Sequence, residues 1–182
     1  MANQYKDVPL LPDVPVIFGS DNGLSSSLVF LASDTAEIIH IESYPRDAKR
    51  LYQLLSYFKP VYAATEEVFM SPGFKGVAST DYQIMGRYSQ CFEMLDIPYE
   101  FIRAVSWRPK LGIKGKGRDL LKQLAIEKAK ELFSEKDYQK LHWTHNVIRD
   151  HKRVQVTEPD NNMCESALIA YYALLKWREK NA

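Results

Sequence analysis

Cysteine is scarce in this chain: its 182 residues include two, Cys91 and Cys164, far apart and without CxxC spacing. That excludes a disulfide framework and a zinc ribbon, and it fits a reducing compartment. Net charge is nearly absent too, at a formal +1. No overall basic field announces a polyanion, so any such site has to come from local clustering. No apolar run is long enough to cross a bilayer, and Met1 to Asp7 lack the apolar core of a signal segment. Internal repeats and low-complexity tracts are missing as well. The expectation is one soluble, cytoplasmic domain over residues 1–182, with no membrane partner and a proline-punctuated arm at 1–14.

What is present reads as alternating strands and helices. Pro15–Ser20 is a buried strand closed by the turn Asp21-Asn22-Gly23, Ser25–Ala32 a second, and Glu37–Glu42 an alternating third, together an antiparallel meander. Arg46–Phe58 places Leu51, Leu54, Leu55 and Phe58 at helical spacing before Lys59-Pro60. Val61–Met70 runs apolar for four residues and then delivers Glu66 and Glu67; as a fourth strand it would lie parallel to the first through the helical crossover. Helices follow at Ser79–Leu95, Asp119–Phe133 and Met163–Glu179, with a fifth strand at Tyr99–Val105. Ser134–Val156 reads as helix and then loop. The fold class is α/β, a central mixed five-stranded sheet flanked by helices.

Three acids fall where such a sheet places its chemistry. Asp21 ends the first strand, Glu66 ends the fourth, and Glu165 lies in the first turn of the last helix. Neighbouring parallel strands put their C-terminal ends at one edge, and the last helix could bring Glu165 and Asp160 there. Clustered carboxylates raise each other's pKa unless a counter-charge is supplied. Mg²⁺ or Mn²⁺ supplies it through hard oxygen ligands, and a pair of ions supports phosphodiester hydrolysis. Each acid alone has a plain alternative: Asp21 as a turn residue, Glu66 as one of a solvated Glu pair where a strand stops, Glu165 as a favourable acid at a helix N-terminus.

The one concentrated basic run is Arg108 to Arg118, with Lys110, Lys114 and Lys116 among glycines. It suits phosphate neutralisation, or equally a solvated surface loop. Phe69, Phe74 and Lys75 sit in the glycine- and proline-bent loop behind Glu66. Exposed there, the two rings would stack on unpaired bases; otherwise they pack beneath the loop. His142 and His145 lack a third ligand at zinc spacing. Cys164, with no histidine in a partner motif, reads as a buried helix residue.

In combination the segments resemble the RuvC family of Holliday junction resolvases, within the ribonuclease H-like superfamily. The motifs are Phe18-Gly-Ser-Asp21-Asn-Gly23, Ala64-Thr-Glu66-Glu-Val-Phe69-Met70, Trp107-Arg-Pro-Lys-Leu-Gly112 with Lys114-Gly-Lys116-Gly, and Asn162-Met-Cys-Glu165-Ser-Ala-Leu-Ile-Ala170. They span about residues 16–175. The resemblance implies a ribonuclease H-like fold, with Asp21, Glu66 and Glu165 as metal-binding acids and Phe69 touching bases at a junction centre. It further implies two Mg²⁺ or Mn²⁺ ions per site and a homodimer that nicks a four-way DNA junction symmetrically. Lys116 or a histidine within 142–151 is a candidate to assist the departing oxygen. The last motif departs from the family pattern: Asn161 and Asn162 stand where an upstream acid is usual, and Asp160 is the nearest carboxylate. Either Asp160 swings in as fourth ligand, or an Asn carbonyl ligates, or metal binding is weaker. Two rival functions share this sequence: a nuclease for flaps or forks, and a junction-binding module that cleaves weakly. A third, an actin-like ATPase, needs a much longer two-lobed chain.

Overall fold

The computed structural model describes residues 13–68, 77–149 and 152–181. Its centre is a five-stranded sheet of β1 (Val16–Ser20), β2 (Ser27–Ala32), β3 (Ile38–Ser43), β4 (Tyr62–Glu66) and β5 (Tyr99–Ile102), in the order β3-β2-β1-β4-β5. β1 pairs antiparallel with β2 and parallel with β4, and β5 extends the parallel half. The mixed sheet and the β1–β4 crossover expected from the sequence are both present.

Strand alternation sorts the apolar residues into two cores, one on each face. Phe18, Leu28, Phe30 and Ala63 point to the face covered by α1 (Ala48–Phe58) and α2 (Val77–Met94). Ile17, Val29, Leu31 and Ala64 point to the other face. There α3 (Ala104–Lys110), α4 (Arg118–Leu132), α5 (Glu135–Gln139) and α6 (Asn161–Asn181) supply Trp107, Ala125, Tyr138 and Leu168. In α1, Asp47 caps the start by accepting from the Lys49 amide at 2.9 Å; Lys59 ends it in the left-handed region, φ 45°, just before Pro60.

A tight contact joins β1 to α6. A Cβ on Gly19 would stand 2.2 Å from the Ala170 backbone nitrogen, so glycine alone lets helix and strand approach this far. The Ser166 hydroxyl accepts from the amides of Asp21 (3.0 Å) and Ser27 (3.3 Å), pinning the start of α6 to the end of β1.

Two segments differ from the sequence expectation. The basic run opens as α3, with Pro109 one residue from the helix's end; it leaves only the Val105 carbonyl without its i+4 donor, while the Trp107 and Arg108 carbonyls still accept from the Leu111 and Ile113 amides. The stretch after α5 is a two-stranded antiparallel ribbon, β6 (His142–Arg149) with β7 (Lys152–Pro159), rather than a loop. The N-terminal arm lies outside the described residues apart from its last positions. Among the described residues no helix is long and apolar enough to cross a membrane.

Candidate active site at the sheet edge

Asp21, Glu66 and Glu165 line one cavity of about 450 Å³, together with Arg108, Gly117, Arg118, Leu121, Lys122, Asn161 and Asn162. Each acid arrives by a separate route. Asp21 is the residue after β1 and Glu66 the last of β4, so parallel pairing brings them to the same edge. Glu165, 8% exposed, lies one turn into α6, and the Gly19 contact and Ser166 bonds hold that helix against the sheet.

The acids strain one another's ionisation. Burial first, then the Glu66 and Glu165 charges, push the Asp21 carboxyl up to about 8. Burial also raises Glu66, against the Arg108 charge and the Trp107 hydrogen bond, which pull it down, while Glu165 pushes it up. Buried Trp107 donates from Nε1 to Glu66 Oε2 at 2.8 Å, fixing that carboxylate.

Arg108 stands inside this cluster rather than on the outer surface. Its Nη2 is 2.9 Å from Glu165 Oε1 and 3.8 Å from Glu66 Oε2, and its guanidinium lies 5.1 Å from the Trp107 ring centroid. Among the described residues no three His, Cys, Asp or Glu side chains form a ready coordination group; Arg108 occupies the space between two of the acids. The donor chemistry nevertheless fits a hard divalent cation: three carboxylates converge on one cavity, and each raises the cost of ionising its neighbours. Asn161 adds an oxygen. Its Nδ2 donates to Glu165 Oε2 at 3.4 Å, and its Oδ1 is buried without a hydrogen-bond partner.

The remaining sequence-predicted residues divide. Asp160 caps α6, its Oδ1 accepting from the Met163 amide at 2.9 Å, and it is not among the cavity's lining residues. Arg118 lines the cavity, placed there by Gly117 at φ 94°, a conformation that favours glycine. Lys110 lies over the Tyr172 ring, 5.6 Å from its centroid, Lys114 borders a separate cavity, and Lys116 is exposed. Phe69, Phe74 and Lys75 fall outside the described residues. Glu67 turns away from the acid cluster toward Arg103 at 3.8 Å. Cys164 is fully buried, its thiol pushed up to about 12 by burial, as expected of a core residue. His142 contacts the Tyr138 carbonyl at 3.0 Å, and His145 stacks on Trp143.

Sequence reasoning offered Asn161 and Asn162 as alternative ligands to Asp160, but gave Lys122 and Trp107 no role in the site. Helical spacing carried part of the signal: Lys122 is four residues after Arg118, and Asn161 four before Glu165, so each shares a face with a predicted residue. Trp107 carried none, because its bond to Glu66 joins elements far apart in sequence.

No family model matches the chain, and no curated protein matches it by sequence. Solved structures do match. Thermus thermophilus RuvC aligns at 15% identity with TM-score 0.61, over 91% of this chain and 96% of that one. T. thermophilus RuvC in complex with Holliday junction substrate aligns at 16% with TM-score 0.64, over 92% and 98%. The yeast mitochondrial Holliday junction resolvase Ydc2 aligns at 17% identity with TM-score 0.49, over 96% and 85%. The chain has the RuvC fold, a ribonuclease H-like α/β architecture.

Proposed function

We propose that this chain is a metal-dependent endodeoxyribonuclease that resolves four-way DNA junctions, acting as a homodimer so that two sites nick one junction. The observation that carries the reading is the convergence of Asp21, Glu66 and Glu165 on a cavity whose rim bears Arg118 and Lys122. The likeness to a RuvC bound to a Holliday junction supports the substrate.

Asp21, Glu66 and Glu165 would hold Mg²⁺ or Mn²⁺, with the Asn161 Oδ1 as the nearest further oxygen donor. The cations supply positive charge against the phosphodiester and its leaving oxygen during hydrolysis. The chain's own residues prepare the site. Trp107 fixes the Glu66 carboxylate, Ser166 fixes the Asp21 backbone, and Arg108 neutralises part of the acid charge. Arg118 and Lys122 would attract the DNA backbone to the rim and orient the phosphate, a sequence-independent contribution that weakens with salt. Lys110, Lys114 and Lys116 extend the basic surface, and Phe69 and Phe74 would meet unpaired bases.

The test compares wild type with Glu66→Gln on synthetic four-way junction, flap, fork and linear duplex in Mg²⁺ or Mn²⁺. Paired nicks on the junction by wild type alone are expected. Equal cutting of every substrate would sink the junction reading in favour of a broader branched-DNA nuclease. Asn161 and Asn162 in place of upstream acids favour a second reading, a junction-binding protein that cleaves weakly. Tight junction binding by both proteins without cleavage would select it.

A further inference from the structure

The β6–β7 ribbon takes no part in the acid cluster, yet it grows from the site's border. Its base is closed where the Asp160 amide donates to the Leu141 carbonyl at 2.8 Å. Asp160 caps α6, and the next residue, Asn161, lines the acid cavity. Each strand has eight residues, a reach of roughly 25 Å at about 3.3 Å per residue. No described side chain from Trp143 to Pro159 is buried, and Ile148 is 79% exposed.

Cross-strand pairing assigns the two faces. Thr144 lies opposite Thr157, Asn146 opposite Gln155 and Ile148 opposite Arg153, with each pair on one face. His142 and Pro159 complete that face, so it carries an arginine, two amides and two hydroxyls but no acid. The Thr144 and Thr157 hydroxyls are hydrogen-bonded at 2.8 Å, holding the two strands in register. Glu158 lies on the opposite face, opposite Trp143.

We propose that the β6–β7 ribbon is a DNA-binding arm, whose acid-free polar face lies against the duplex flanking the phosphate held at the acid cavity. The inference rests on the nuclease reading above and extends it to a second contact. A two-stranded ribbon fits the major groove, about 12 Å wide, and Thr, Asn, Gln and Arg are side chains that bond phosphates and base edges. A protein-binding face would be expected to carry aromatic anchors at its centre; here the one tryptophan, Trp143, is on the other face.

The test measures equilibrium binding of a synthetic four-way junction across a salt series, in a Glu66→Gln background so that the DNA stays intact. Arg153→Ala should weaken binding and flatten the slope of log K against log salt by about 0.9, the loss of one phosphate contact. A double Asn146→Ala, Gln155→Ala variant should weaken it several-fold, with an unchanged melting temperature because both residues are exposed and the Thr144–Thr157 bond is kept. Unchanged affinity and slope in both variants, with the parent still binding, would overturn the arm and leave the nuclease reading standing. A parent that binds no DNA would overturn both. If the polar-face variants are silent while Trp143→Ser with Val154→Ser lowers the sedimenting mass, the ribbon serves a second copy and the proposal fails.

Discussion

Arg108 sets the state of the acid cluster before any cation or DNA arrives. Its guanidinium bridges Glu165 and Glu66, so a divalent cation has to compete with a charge already in place. Arg108→Gln should therefore tighten Mn²⁺ binding by about tenfold, measured by calorimetric titration of DNA-free protein, since a like charge a few ångströms away costs a cation on the order of kilocalories. Weaker binding would mean that Arg108 serves to hold the acids in position. Asp21 makes a separate prediction about pH. Its carboxyl ordinarily titrates near 3.8 and in the fold near about 8. Between those values the folded state keeps a proton that the unfolded chain releases, so stability falls as pH rises across the window. Without divalent cations, melting temperature should drop from pH 5 to pH 8, and Asp21→Asn should reduce that slope. Glu66, also raised by burial, leaves part of the slope in place. An unchanged slope in the variant would remove Asp21 as its source.

At the scale of elements, α6 carries the site, and its distance from β1 is set by one missing methyl group. Gly19→Ala has to push Ala170 and its helix away. A loss of about 1–3 kcal/mol is expected for such overpacking, read by urea unfolding, with cleavage falling further because Glu165 moves with the helix. Asp160 bears on the same element from its other end. Asp160→Ala should cost about 1 kcal/mol through the lost cap, whereas Asp160→Asn can still cap and should retain both stability and metal-dependent cleavage. Loss of cleavage alone in the Asn variant would make Asp160 the fourth ligand. The elements that sequence reading found pack on one of the two cores, most plainly β1, β2 and β4 and the leucine-spaced α1. The ribbon had no such core. Its residues alternate between a polar face and a mixed one, and no Asn-Gly or Asp-Gly marks its turn. α3 was hidden by Pro109, which reads as a break until its place in the last turn is known.

Over the whole molecule, the sheet divides two apolar cores, and the acid-lined edge lies where β1, β4 and α6 meet. That meeting was legible because the crossover fixes which strand ends adjoin; the contacts of Arg108 and Trp107 were not, since they depend on how α3 lies across the edge. The ribbon's ends bear on how such a chain can change over evolutionary time. Leu141 and Asp160 are hydrogen-bonded neighbours, so everything between them forms a loop whose two ends already meet. Lengthening, shortening or exchanging it carries only the slow logarithmic cost of loop closure and leaves α5, the α6 cap and the acids in place. On the roles proposed above, the DNA contact made by the ribbon could then drift independently of the acid cluster.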